Sequence, residues 1–552
     1  MRRPAVLLVL AALLAAAAPA AAGQRSTHRV GVTAPDEAGQ PVALDVDVRV
    51  PDGAAPERGW PLVALFHGGG GTKDSAFDAR AAEAFTARGS VTVLYTARGH
   101  GGSSGQTTVI GPKEVRDLFD VLGWVLDRHP IDRARLALWG YSQGGLHTNL
   151  AQAWATDRAL NPRRLRFAAV LPSSTPDRVF DALVEHGVVK LSFGAALVAL
   201  YSTSARPSPQ VHRWIATAAA DQPPLYGTGG PCDMTGHDTP TSTMRADLAW
   251  RSMACRPHRL GLPTFWLQQF DDALFPAEMA VRTLRRRPHR ADRLVLGTGG
   301  HGAPGAAPSA AGDALRAQVD WLDAVLAGRA PAGPAVTYYA RDTQVRAAHG
   351  IRQWPEGAWV RRDAPSWPPP GVRLRRLVLA RGAALEPGGP PATTPLAGTA
   401  VDVRHDSAAT TAAQALPNGT TLTGAMPALA PPGGEAVFAS RPHLRTRELA
   451  GTPVLHGTWT PAGPDSQLVV RLFDEAPDGT RTLLSRGVAG LRGALPGHAR
   501  QVRVRAGAVA ALLHAGHRLV LRVAAGDATF YKPFPGAVGG VLADARLAVP
   551  LR

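Results

Sequence analysis

Hydrophobic and polar positions follow three different patterns along the chain. From His28 to Pro51, valine and leucine alternate with polar residues, which predicts an antiparallel hairpin with one buried face. Between residues 62 and 296, short continuous apolar runs alternate with segments in which apolar residues recur at helical spacing. From about residue 335 the helical spacing disappears, and short alternating stretches are separated by turns rich in Pro, Gly and Thr. The pattern predicts an α/β unit followed by an all-β unit.

The continuous apolar runs predict strands that are buried on both faces, as in a parallel sheet covered by helices. A helix is expected between Pro112 and Asp127, and a closing helix between Ala310 and Leu326. The expected strands are Leu62–Phe66, Val91–Tyr95, Leu136–Trp139, Phe167–Leu171, Pro263–Gln269 and Arg293–Leu296.

The length of 552 residues also favours two domains, because a single hydrophobic core stops growing at roughly 250–300 residues. We expect a catalytic α/β domain over residues 27–328 and a β-sandwich or jelly roll over 335–552. The strands at Leu171 and Pro263 are separated by about 90 residues, far more than a connection needs. Residues 172–262 are therefore predicted to form a lid insertion.

The N-terminus has the pattern of a signal peptide over residues 1–22. Two arginines precede a short apolar run, which ends in Ala20-Ala21-Ala22, a small-residue cleavage pattern. A membrane anchor is the alternative, but the run is short and rich in alanine. We expect a secreted protein, and in an oxidising compartment Cys232 and Cys255 can form a disulfide.

Charge and composition narrow the classes of partner. The net charge is +17, but arginines are scattered without a basic run or interleaved aromatic residues, so nucleic acid is not expected as a partner. No segment after the N-terminal run is apolar over the roughly 20 residues of a membrane span. No Cys/His cluster has zinc spacing and no phosphate-binding loop occurs, so neither a metal nor a cofactor is expected.

A nucleophile motif lies where a predicted strand meets a predicted helix. Gly140-Tyr141-Ser142-Gln143-Gly144 has the spacing of a nucleophile elbow, in which a sharp turn exposes the serine above the sheet. The Gln143 backbone N–H, at the start of the helix, is a candidate oxyanion donor. His67-Gly68-Gly69-Gly70-Gly71 resembles an esterase oxyanion loop, with Gly68 or Gly69 as the second donor, although a flexible turn is the alternative.

A serine nucleophile needs a histidine base that is oriented by a carboxylate. His301 follows the last predicted strand in a glycine-rich loop, and it is our candidate base. Asp271 and Asp272 both end the preceding strand, so either carboxylate is available to orient the histidine.

With these motifs in place, the chain resembles the Xaa-Pro dipeptidyl-peptidase and cocaine-esterase group of α/β hydrolases, serine peptidase family S15. The resemblance rests on Ser142 with its flanking glycines, Gly300-His301, and the segments Arg98–Gly105 and Asp272–Pro276. It implies an α/β-hydrolase fold with a non-catalytic jelly-roll domain, and it favours Asp272 as the acid. The family commonly uses a loop tyrosine as an oxyanion donor, whereas this loop is glycine.

The resemblance implies a substrate peptide that is cleaved after an N-terminal Xaa-Pro pair. A small ester or amide, cleaved as by a carboxylesterase, is the second hypothesis. A third is an inactive protein that attaches to a surface through its β domain. The sequence does not determine the oligomeric state.

Overall fold

The computed structural model describes residues 23–220, 229–256, 261–270, 272, 274–286, 288–297, 301, 308–345, 358–396, 435–527, 530–534 and 539–552. The predicted signal peptide and Asp271 lie outside these described residues. None of the helices in the described residues is long and apolar enough to cross a lipid bilayer.

A twisted sheet with a parallel centre organises the first domain. Its strands are β1 (Gln24–Val32), β2 (Val42–Val50), β3 (Trp60–Phe66), β4 (Val91–Tyr95), β5 (Ile131–Tyr141), β6 (Ala169–Ser173), β9 (Phe265–Gln269) and β10 (Arg293–Gly297). They pair in the order β1-β2-β4-β3-β5-β6-β9-β10, and from β4 onward the pairing is parallel. The hairpin β1–β2 is antiparallel. The predicted α/β-hydrolase fold is confirmed, and the strand predicted at Phe167 begins two residues later, at Ala169.

Helices cover both faces of this sheet and bury its apolar side chains in two separate cores. They are α1 (Ala76–Thr86), α2 (Pro112–Leu126), α3 (Gln143–Ala153), α8 (Ala277–Arg286) and α9 (Pro308–Leu326). The sharp stop of every parallel strand at the same edge leaves the following loops side by side. That edge carries the candidate residues.

The insertion between β6 and β9 is mostly helical. It contains α4 (Val179–Leu183), a short hairpin of β7 (Val184–Glu185) and β8 (Val188–Val189), α5 (Leu191–Ser204), α6 (Pro209–Ala220) and α7 (Met244–Trp250). A disulfide joins Cys232 to Cys255 within it. The bond closes a 23-residue separation and ties the chain before α7 to the turn after it.

The C-terminal part is rich in β-strands. They are β11 (Val336–Asp342), β12 (Trp359–Ala364), β13 (Arg373–Ala380), β14 (Ala384–Glu386), β15 (Thr394–Leu396), β16 (Ala436–Ala439), β17 (Arg447–Gly451), β18 (Val454–Pro461), β19 (Ser466–Glu475), β20 (Arg481–Leu491), β21 (Arg500–Arg505), β22 (Val509–Leu513), β23 (Arg518–Ala524) and β24 (Gly540–Leu551). Most pairings are antiparallel, and the inward-facing side chains form a core of their own. β24 connects β13 to β18, and β18 connects to β21.

The two parts share hydrogen bonds across the boundary that the sequence suggests near residue 335. β11 extends the first sheet by pairing in parallel with β10, and it also pairs with β22 of the second part. A further apolar cluster joins Leu274 of the first part to Val469 and Phe530 of the second. The C-terminal part is therefore packed directly against the edge at which β9 ends.

Candidate active site

Ser142 lies in a strained turn between β5 and α3. Its φ of 57° and ψ of −117° place a non-glycine residue outside the common backbone regions. The Ser142 N–H donates to the Ser173 carbonyl at 2.9 Å. A Cβ at Gly140 would lie 2.2 Å from the Gly144 carbonyl oxygen, and one at Gly144 would lie 2.0 Å from the Phe66 carbonyl oxygen. The turn therefore requires glycine at both positions.

Ser142 and His301 are in hydrogen-bond contact although 159 positions separate them in sequence. The Ser142 Oγ lies 2.8 Å from His301 Nε2, and His301 Nδ1 lies 2.9 Å from Asp272 Oδ2. A carboxylate only accepts hydrogen bonds, so the neutral imidazole carries its hydrogen on Nδ1. Nε2 is then free to accept the serine proton.

The Asp272 carboxylate is almost completely buried and is satisfied by N–H donors. Oδ1 accepts the backbone N–H groups of Leu274 at 3.1 Å and Phe275 at 2.8 Å. Oδ2 accepts the Gln268 side-chain amide at 3.2 Å in addition to His301. These donors compensate the cost of burying a negative charge and fix the direction in which the carboxylate faces.

Aromatic rings enclose the histidine on two sides. The Tyr141 ring centre lies 5.6 Å from that of His301, and the Phe275 ring stands edge-on to it at 4.9 Å. The side chain of His301 keeps 16% of its surface exposed. The imidazole is therefore held by packing but stays reachable from solvent.

The predicted oxyanion loop lies beside the nucleophile. A Cβ at Gly68 would lie 3.7 Å from the Ser142 Cβ, so the Gly68 backbone is in van der Waals range of the serine. Gln143 is the first residue of α3, and the first N–H groups of a helix lack partners within the helix. Gly68 therefore lies next to Ser142, and a Cβ at Gly69 would lie 3.6 Å from Gln143 Oε1, so the three residues of the predicted oxyanion site are neighbours.

His67 holds this loop in one orientation. Its Nε2 accepts the Ala97 N–H at 2.9 Å, so Nδ1 carries the hydrogen and donates to the Gly68 carbonyl at 2.7 Å. The same carbonyl accepts the Gly71 N–H at 3.0 Å. In a trans peptide the carbonyl and the next N–H point in opposite directions, so the Gly69 N–H faces away from the His67 ring. We favour Gly69 over Gly68 as the loop donor.

Helix α5 of the insertion packs directly onto the glycine loop. The Tyr201 hydroxyl donates to Gln143 Oε1, and it would lie 3.1 Å from a Cβ at Gly69. A Cβ at Gly70 would lie 2.6 Å from Leu200 Cδ1. Side chains in this loop would collide with α5. The glycine run is thus explained by the close approach of the insertion, and a tyrosine from α5 lies beside it.

Sequence reasoning missed Tyr201 and the role of His67. Tyr201 lies within an insertion that carries no motif, and its helix contains several other hydroxyl side chains, so no sequence signal singles it out. His67 was noted only as the start of the glycine loop. Burial raises the pKa of the Tyr201 phenol, so the hydroxyl keeps its proton and acts as a donor.

The C-terminal part supports the loop that carries Asp272. Leu274 packs in a cluster with Phe530 and Tyr531, and the Lys190 ammonium donates to the Leu274 carbonyl at 3.2 Å. Leu274, two residues after the acid, is thereby held by the C-terminal part and by the insertion. Among the described residues, no group of three or more His, Cys, Asp or Glu side chains is arranged to hold a metal ion.

Two family models match consecutive parts of the chain. Residues 39–303 match the X-Pro dipeptidyl-peptidase (S15 family) model, and residues 330–539 match the X-Pro dipeptidyl-peptidase C-terminal non-catalytic domain. A curated relative, an uncharacterized 31.7 kDa protein of Escherichia coli, is 35% identical over 106 residues. That stretch is 19% of this chain and 36% of the relative, so the chain covers only about a third of the relative.

Solved structures share the fold over almost the whole chain. An α-amino acid ester hydrolase is 16% identical, with a TM-score of 0.66 and full coverage of both chains. A CocE/NonD family hydrolase from Staphylococcus aureus is 12% identical, with a TM-score of 0.65 over 96% of this chain and 97% of the other. An aminopeptidase from a Thaumarchaeota archaeon is 16% identical, with a TM-score of 0.63 over 95% and 96%. At these identities the likeness concerns the fold alone.

Removing the Tyr201 hydroxyl tests its contact with Gln143. We expect Tyr201→Phe to lower kcat roughly 10-fold with KM little changed. Deleting an oxyanion donor lowers kcat by about 10²–10³, whereas this variant only removes a hydrogen bond to the side chain of Gln143, so the effect should be smaller. Tyr339→Phe, on β11, is the matched control. Steady-state kinetics on one chromogenic ester would measure both. An unchanged kcat, or a loss confined to KM, would show that the contact is structural only.

Buried histidines near the site make stability depend on pH. Burial lowers the pKa of His67 to about 3 and that of His147 to about 4, below the value of about 6.5 in an unfolded chain. Between these values the unfolded state binds more protons, so the free energy of unfolding falls as the pH falls below 6.5. Each histidine should lower the free energy of unfolding at pH 5 by about 2 kcal/mol relative to its value at neutral pH.

The variant His147→Gln removes one of these titrations. Urea unfolding at pH 7 and pH 5 measures how far the free energy of unfolding falls between the two pH values. This fall should be smaller in the variant than in the parent chain by about 2 kcal/mol. His498→Gln, at an exposed position, should leave that loss unchanged. An identical pH dependence in the parent and His147→Gln would contradict the assignment.

Proposed function

This chain belongs to the X-Pro dipeptidyl-peptidase (S15) family, and we propose that it cleaves acyl compounds through a covalent ester on Ser142. It is a serine hydrolase of the α/β-hydrolase superfamily. One observation carries the assignment of roles, namely the continuous contact from Ser142 Oγ to His301 Nε2 and from His301 Nδ1 to Asp272 Oδ2. In this arrangement the serine is the nucleophile, the histidine the base and the aspartate the orienting acid.

The reaction proceeds in two acyl-transfer steps. His301 Nε2 accepts the hydroxyl proton while Ser142 Oγ bonds to the substrate carbonyl carbon. The resulting imidazolium donates that proton to the leaving amine or alcohol, whose bond to the carbonyl carbon breaks. Water then attacks the acyl-enzyme in the same way and releases the acid. Asp272 stays ionised throughout, since it only holds and stabilises the imidazole.

We infer that two backbone N–H groups stabilise the oxyanion that forms in each step. One belongs to Gln143 at the N-terminus of α3, and the other to Gly69, whose direction is set by His67. Donors that are fixed before the reaction need no reorganisation as charge develops on the carbonyl oxygen.

Replacing the nucleophile should abolish turnover without unfolding the protein. Ser142→Ala is expected to lower kcat by about 10⁶, and a fluorophosphonate probe should label the parent chain at Ser142 but not the variant. Labelling also separates an enzyme from an inactive binding protein. Retention of more than a few per cent of activity by Ser142→Ala would refute the assignment.

The family membership makes peptides with an N-terminal Xaa-Pro pair the first candidate substrates. Recognition of such a peptide requires a partner for its free ammonium group. Among the described residues, the side chains in contact with His301 and the glycine loop include the uncharged Tyr141, Phe275 and Tyr201. The cavity beside Asp272 is also lined by Glu185 and Glu278. Asp272 already bonds His301. The uncharged side chains beside His301 and the glycine loop support a second candidate, a small ester or amide with a neutral acyl group.

A pair of matched substrates distinguishes the two. A dipeptidyl-peptidase should cleave Ala-Pro p-nitroanilide and lose at least about 100-fold in kcat/KM when its N-terminus is acetylated, because a charged contact of roughly 3 kcal/mol is lost. An esterase should cleave p-nitrophenyl butyrate and treat the free and blocked amides alike. Ser142→Ala is the control for both assays, since any residual rate with it reports contamination.

A further inference from the structure

Two open grooves share one residue of β13, the first on the C-terminal part and the second between that part and α8 of the first domain. The first, of about 1120 Å³, and the second, of about 860 Å³, both have the exposed side chain of Leu374 in their walls. β13 runs along the first groove, and α8 lies along the second. The two grooves are open and adjoin at Leu374, an arrangement that suits an extended ligand.

The first groove is lined by arginines without acidic partners. Arg375 and Arg376 come from β13, Arg441 comes from the loop after β16, and Arg447 begins β17. Within the described part of the chain, no carboxylate lies at ion-pair distance from any of these four guanidinium groups. Glu386 is the one acidic residue in the groove wall. The groove therefore carries an excess of positive charge.

The second groove is also lined by positively charged side chains. Arg282, Arg285 and Arg286 lie along α8, and Arg505 faces them from β21. Arg282 is paired with Asp177, and the side chain of Arg285 donates to the Trp367 carbonyl. The acidic residue in this groove wall is Glu278, which accepts a hydrogen bond from Thr452.

The strands next to β13 add a third group of cations. On one exposed row of the sheet, Arg546 of β24 lies opposite His456 of β18, which lies opposite Arg503 of β21. Neighbouring strands are about 4.8 Å apart, so a protonated His456 would be repelled by the arginine on either side. Partial burial and the charges of Arg503 and Arg376 lower the pKa of His456. An anionic ligand would relieve this repulsion.

We propose that the two grooves and this row bind a linear phosphate polymer. Guanidinium groups match phosphate oxygens in paired hydrogen bonds, and a track of them recognises repeated charge rather than one anion. Single-stranded nucleic acid fits less well, because it binds through exposed aromatic rings that stack on its bases. The aromatic residue in the groove walls, Trp367, is buried.

The test measures binding of a fluorescent long-chain inorganic polyphosphate to the full-length protein over a range of salt concentrations. A groove variant carries Arg375→Gln, Arg376→Gln, Arg441→Gln and Arg447→Gln. We expect roughly 100-fold weaker binding at low salt and a slope of log K against log salt that is smaller by about 3, since each lost phosphate contact removes about 0.7. Unchanged hydrolysis of p-nitrophenyl butyrate would show that the variant is folded.

A charge-matched control separates a site from general attraction to a basic protein. Arg80→Gln, Arg133→Gln, Arg158→Gln and Arg166→Gln remove the same charge from exposed positions of the first domain. This control should keep the parent affinity, and inorganic monophosphate or polyglutamate should compete poorly. Equal losses in both variants would overturn the proposal. So would tighter binding of single-stranded DNA or polyglutamate, or full competition by monophosphate.

Discussion

A single buried carboxylate connects the parts of this molecule. Burying a charge is costly unless hydrogen bonds replace the water that it loses, and Asp272 has its replacements from two backbone N–H groups, one amide and one imidazole. These donors come from three segments. The amide belongs to β9, the imidazole to the loop after β10, and the two backbone N–H groups to the segment after Asp272. The orientation of His301, and through it the activation of Ser142, depends on this set of contacts.

The same carboxylate explains why the β-rich part lies where it does. The backbone N–H groups that bind Asp272 belong to a short segment whose Leu274 side chain is packed between the two parts of the chain. The C-terminal part thus adds packing contacts to a loop that follows a strand end. The C-terminal part supplies that support on its inner side and presents the basic grooves on its outer surface.

Close approach is the second constraint on the site. Gly140 and Gly144 let the nucleophile turn pack closely against its own helix and β3. The glycine loop lets α5 pack against the backbone beside the nucleophile. The glycine loop lacks the tyrosine that the family commonly has there. In this protein a tyrosine from α5, Tyr201, lies beside the loop instead. The glycines of the loop and the position of α5 depend on each other, because a side chain in the loop would collide with the helix.

Much of this protein follows from local patterns in the sequence. Continuous apolar runs and helical spacing predicted the parallel sheet, because strands buried on both faces admit few polar residues. Chain order and motif spacing singled out Ser142 and His301, the family resemblance favoured Asp272 over Asp271, and the structure brings Ser142, His301 and Asp272 together. The signal peptide, secretion and the jelly-roll topology stay predictions.

Contacts between distant segments were decided by the tertiary structure alone. Tyr201 reaches Gln143 across 58 positions, and β11 joins the first sheet to the second part, yet neither leaves a periodic signal. Arginines that look scattered along the chain line two grooves because strands far apart in sequence lie about 4.8 Å apart in a sheet. Sequence patterns report which face of an element is buried, whereas the partner that covers that face depends on how the whole chain packs.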